Sequence, residues 1–75
     1  MTIGGGRGNP IPVNSIEREY ELIHASACPC GGAWEAGTQV VYFDVAIRKC
    51  CDRIEVTCLK CGKSREVHFD ISAFY

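Results

Sequence analysis

No stretch of the chain approaches the roughly 18 uninterrupted apolar residues that a membrane span needs. The opening Met1-Thr2-Ile3-Gly4-Gly5-Gly6-Arg7-Gly8 has no apolar h-region, so nothing in it marks the chain for export, and a reducing, cytoplasmic context is expected. Charge of one sign is missing as well: 8 Lys and Arg against 9 Asp and Glu give a net charge of −1, which is not the balance of a dedicated nucleic-acid binder. No serine, histidine and carboxylate spacing suggests a nucleophilic triad. Length is the remaining deficit. Seventy-five residues make one domain, and a single core of that size rarely yields more than about 3 to 5 kcal/mol net, so the fold needs a staple.

Cysteine is what the chain has in quantity, with 6 residues. A disulfide framework fits an exported chain, which this one does not resemble. The thiols instead form two glycine-followed corners, Cys28-Pro29-Cys30-Gly31-Gly32 and Cys58-Leu59-Lys60-Cys61-Gly62, with 27 residues between Cys30 and Cys58. Each corner offers two sulfurs and a residue free to take φ > 0, the make-up of half a tetrahedral metal site. One structural Zn²⁺ is the expected cofactor, worth roughly 10 to 16 kcal/mol of apparent binding energy at neutral pH.

The sequence around the corners predicts a small metal-stabilised β domain. Residues 1–13, with four glycines in positions 4–8 and then Asn9-Pro10-Ile11-Pro12, read as a flexible Gly/Pro-rich tail, and residues 14–75 as the domain. Asn14 followed by Glu17 resembles a capping box, with Ile16, Tyr20 and Ile23 on one helix face. The run Tyr20-Glu21-Leu22-Ile23-His24 nevertheless favours a strand over 19–25, any helix being short and before it. A strand is expected over 39–47, with Val41, Phe43, Val45 and Ile47 on one face, then a hairpin tip at 48–52 and a returning strand over 53–58 that delivers Cys58. The last strand, 64–71, should turn Val67, Phe69 and Ile71 inward and Glu66, His68 and Asp70 outward. Trp34 is the expected cover for one end of the core.

Two glycine-flanked cysteine corners bracketing a β-hairpin resemble a zinc ribbon, over residues 28–71. The resemblance implies a three- to four-stranded antiparallel sheet and one Zn²⁺ held by Cys28, Cys30, Cys58 and Cys61. The first corner departs from the usual two-residue spacer, having Pro29 alone; Pro29 has no N–H, so Gly31 and Gly32 are expected to donate to the sulfurs. The same corner also resembles the Cys-Pro-Cys-Gly start of the zinc motif at the C-terminus of bacterial secretion ATPases, with Lys49-Cys50-Cys51 echoing its end, but the interval here is too long. Rubredoxin, with iron in place of zinc, is a further resemblance, and its two-residue spacers are violated by Cys28-Pro29-Cys30.

Four thiolates leave no open position for a water, so zinc hydrolysis is not expected and the chain reads as a non-enzyme. His24 and His68 read as solvated or hydrogen-bonded rather than as ligands. Cys50 and Cys51 are expected to lie at the hairpin tip and to stay off the metal, since adjacent residues point to opposite sides of an extended chain. The function this implies is protein–protein docking, as a module or small accessory subunit of a larger assembly, with Phe74 and Tyr75 packing on the sheet or on the protein partner. The alternative is nucleic-acid binding through a basic hairpin, 48–65, that carries Arg48, Lys49, Arg53, Lys60, Lys63 and Arg65, with Tyr42 and Phe43 as stacking residues.

Overall fold

In the computed structural model, which describes residues 8–75, the chain runs β1 (Ile11–Pro12), α1 (Ile16–Ala25), β2 (Trp34–Asp44), β3 (Lys49–Cys58) and β4 (Ser64–Asp70). The last three strands form an antiparallel meander, and the sheet order is β1-β4-β3-β2. The sheet is mixed rather than wholly antiparallel, because β1 lies parallel to β4, with Ile11 opposite Phe69 and Pro12 opposite Asp70. Pro12 lacks a donor, which confines it to an edge, and β1 is an edge. Of the expected tail, residues 1–7 fall outside the described residues. The Val13 N–H donates to the Asp70 carbonyl at 3.1 Å and its side chain is buried in the core.

The strand expected over 19–25 is a helix. Ser15, rather than Asn14, is its cap: the Ser15 hydroxyl accepts from the Arg18 N–H at 3.2 Å, and Glu17 and Glu19 occupy the first turn, where the helix dipole favours acids. At helical spacing Glu19 and Ile23 fall on one buried face, with Tyr20 and Leu22 beside them, which no strand alternation of these residues achieves. The helix ends at Ser26, whose N–H and hydroxyl both turn back, to the Ile23 and Leu22 carbonyls.

The hairpin is displaced from its expected position. β2 spans Trp34–Asp44, the turn occupies 45–48, and Cys50 and Cys51 stand within β3, opposite Phe43 and Tyr42, instead of at a tip. Two local features place the turn earlier: the Asp44 carboxylate accepts from the Ala46 N–H at 3.0 Å, and Arg48 takes the left-handed φ of 54°. Val41, Phe43 and Val45 are consequently not core residues but 42%, 56% and 77% exposed. A ten-residue helix covers about 15 Å, whereas eleven residues of strand run about 36 Å, so α1 cannot blanket the whole hairpin.

Under α1 the core comprises Val13, Ile23, Trp34, Ile54, Val56, Val67, Phe69 and Ile71. Val67, Phe69 and Ile71 point inward as their alternation predicts. His68 does not point to solvent. On the opposite face of the sheet it is 4% exposed, and its Nδ1 meets the Tyr42 hydroxyl at 2.6 Å with the rings edge to face.

Candidate metal centre

The meander ends β3 at Cys58 and starts β2 at Trp34, directly opposite, so the two cysteine corners meet at one end of the sheet. Each corner closes on itself. In the first, Ala27 bridges Ala33, the Cys28 N–H donates to the Gly32 carbonyl at 2.9 Å, and the Gly31 N–H to the Cys28 carbonyl at 2.8 Å. In the second, the Cys58 N–H donates to the Lys63 carbonyl at 2.8 Å and the Gly62 N–H to the Cys58 carbonyl at 3.0 Å. Gly31 and Gly62 occupy the equivalent position and both have positive φ, 91° and 76°. A bond between the corners, from the Leu59 N–H to the Ala33 carbonyl at 2.9 Å, sets their spacing.

The result is that the sulfurs of Cys28, Cys30, Cys58 and Cys61 all lie within 4.8 Å of one another, a group able to hold a metal ion. Cys28 and Cys61 are 3.7 Å apart and Cys30 and Cys58 3.5 Å. A tetrahedral ion with bonds of about 2.3 Å to sulfur requires sulfur–sulfur distances near 3.8 Å, so the donor set fits such an ion in both chemistry and spacing. Cys28 and Cys58 are buried and Cys30 and Cys61 exposed, which puts the centre at the surface, backed by Trp34. Cys50 and Cys51 are not in the group.

Backbone donors prepare one sulfur for charge. The N–H groups of Cys61 and Lys60 each donate to the Cys58 sulfur at 3.4 Å, and these bonds, the Cys61 one foremost, hold its thiol down to about 6 despite burial. At Cys28 an N–H from Cys30 favours the thiolate, but burial and the three neighbouring sulfurs prevail and push the thiol up to about 11. Like charges this close cannot all ionise without a cation among them. The Gly31 N–H, expected to reach a sulfur, bonds to a carbonyl instead.

The basic residues read from the sequence are not gathered into one track. Lys49 pairs with Asp70 at 3.2 Å and Arg53 with Glu66 at 3.4 Å. Arg48 sits in the turn, whereas Lys60 and Lys63 belong to the second corner, at the far end of the ten-residue β3, roughly 33 Å of strand away. Arg65 lies on β4 opposite Val56. His24 is exposed near the end of α1 and is not a member of the sulfur group. Tyr42 is engaged with His68, and Phe43 is exposed. Phe74 and Tyr75 turn back through their N–H groups to the Ile71 carbonyl, with side chains 38% and 73% exposed.

Two buried arrangements escaped the sequence reading. Glu19 on α1 and Asp52 on β3 are 0% and 1% exposed and face each other. Asp52 alternates with Ile54, Val56 and Cys58, and that periodicity is the signal that it points into the core. Cys51, fully buried opposite Tyr42, has its thiol pushed up chiefly by burial. Among the described residues no helix is long and apolar enough to cross a membrane. No protein family, curated protein or solved structure matches the chain.

Proposed function

We propose that the chain is a non-catalytic zinc-ribbon domain, held by one structural Zn²⁺ on Cys28, Cys30, Cys58 and Cys61, that works in the cytoplasm as a protein-docking module or small accessory subunit. The observation that carries this reading is the spacing of the four sulfurs, near what a tetrahedral ion needs, with all four donors supplied by the chain. An ion bound there would cross-link the two corners and hold the base of the hairpin. Zinc is preferred to iron because the one-residue spacer at Pro29 departs from the rubredoxin pattern. A colourless protein agrees with zinc, and a visible absorbance band would favour iron.

Docking is supported by the apolar strip that α1 leaves bare on the edge strand β2, Val41 and Phe43, continued by Val45 in the turn. Leu59, 66% exposed, adds an apolar tip at the second corner. Nucleic-acid binding has less support, since two of the six basic side chains are already paired with acids and the others divide between the ends of β3. Affinity capture with the full chain and with a Val41→Glu/Phe43→Glu variant tests docking: a partner held by the first and released by the second is expected. Oligonucleotide binding that weakens steeply with added salt would instead favour the nucleic-acid reading.

A further inference from the structure

Glu19 and Asp52 form a buried acid pair that the metal centre does not use. Asp52 Oδ2 accepts from the Gln39 side-chain amide, and the Gln39 carbonyl oxygen accepts from the Tyr20 hydroxyl at 3.0 Å. The polar chain thus runs from α1 to β2 to β3 and returns to α1 at Glu19. Its last link has no donor: among the described residues, Glu19 Oε1, Glu19 Oε2 and Asp52 Oδ1 have no hydrogen-bond partner. Two ionised carboxylates are acceptors only, so a bond between them requires one to keep its proton.

We propose that Glu19 keeps that proton, and that its hydrogen bond to Asp52 is a proton-operated latch that fastens α1 to the sheet and lets go when base removes the proton. Among the described residues nothing cationic offers an alternative. On α1, Arg18 pairs outward with Glu21 at 3.7 Å, and His24 is exposed. From β2 the facing group is the neutral Gln39, and from β3 the facing groups are Asp52 and, two residues back on the same face, the half-buried Cys50 thiol. From β4 the inward residues are Val67 and Phe69, while Arg65 shares that face but is exposed at the far end of the strand, opposite Val56 and about 13 Å of strand from the Asp52 pairing; His68 and Asp70 alternate to the other face, and Ile11, Val13 and Ile71 complete the surroundings. Burial first, and then the Asp52 carboxyl, raise Glu19 from an ordinary 4.5 to about 8.

The sign of the dependence follows. With α1 docked Glu19 binds its proton more tightly than when released, so docking is fully stabilised below pH 4.5 and weakens as pH rises towards 8. Helix α1 ends at Ala25, three residues before Cys28.

The test uses the full chain as purified, with the Glu19 carboxyl carbon followed by NMR from pH 4 to 9 and amide exchange, corrected for intrinsic rates, compared between α1 and β3. The latch predicts a Glu19 midpoint far above the ordinary carboxylate range, and loss of α1 protection approaching about tenfold per pH unit from 5 to 8. Protection in β3 should change less, and Glu19→Gln, which keeps a donor to Asp52 but cannot ionise, should hold α1 protection constant. If that variant does not fold, the wild-type midpoint and slope decide. An ordinary midpoint, α1 protection that follows Glu19→Gln at every pH, or α1 and β3 exchanging in step would overturn the proposal.

Discussion

Gly32 backs directly onto Cys58: a β-carbon placed on it would lie 2.5 Å from the Cys58 sulfur and 2.6 Å from the Lys60 β-carbon. Neither neighbour is free to retreat, one being a member of the sulfur group and the other the base of a side chain in the same tight corner. Gly32→Ala should therefore push the corners apart and weaken metal binding by an order of magnitude or more, measured by competition with a chromophoric chelator. An affinity equal to wild type would show that the corners do not depend on this close approach.

Gly31 provides a contrast. A β-carbon there meets nothing within 4 Å, yet its φ of 91° is one that other residues rarely adopt. Gly31→Ala should lower stability by about 1 to 2 kcal/mol through backbone strain while leaving the metal stoichiometry at one. Denaturant titration of the metal-loaded chain checks the first part and elemental analysis the second.

The cysteines divide into two groups with different expected behaviour. Cys58→Ser or Cys61→Ser should lose the metal. Cys50→Ser with Cys51→Ala should keep one ion per chain, since neither sulfur is in the group. Alanine suits the second position because Cys51 is fully buried and a hydroxyl would need a partner there. Metal retained by the first pair of variants and lost by the second would reverse the assignment of the site.

Helix α1 rests on one cap and one buried face. Ser15→Ala removes the acceptor for the Arg18 N–H and should cost about 1 kcal/mol, read from urea denaturation of the metal-loaded chain. Asn14→Ala should change stability far less, because the hydroxyl of Ser15 does the capping.

The corners were legible in the sequence because paired cysteines followed by glycine permit few other uses, and the structure brings the same four sulfurs together. The meander was legible from alternation at 53–58 and 64–71. Helix α1 was not, because Tyr20, Leu22 and Ile23 serve a strand as readily as a helix; Glu19 and Ile23 share a face in either, and it is the packing of Tyr20 on the same core as Ile23, three residues on, that requires the helix. The turn was misplaced because the charges at Arg48, Lys49 and Asp52 suggest a solvated tip. In the fold Lys49 is paired with Asp70, and Asp52 is held inside by the Gln39 side-chain amide. The parallel pairing of β1 has no local signal in two residues flanked by proline and valine; it depends on the edge that β4 presents.

The central claim is that a metal ion on the four clustered sulfurs holds this fold together, and it is tested most directly by native mass spectrometry and circular dichroism before and after a strong chelator. The account predicts one Zn²⁺ per chain, and loss of the sheet and of α1 signal when it is removed, because the core alone supplies only about 3 to 5 kcal/mol. A chain that keeps its fold after verified removal of the metal, or that binds none when expressed with zinc, would contradict it.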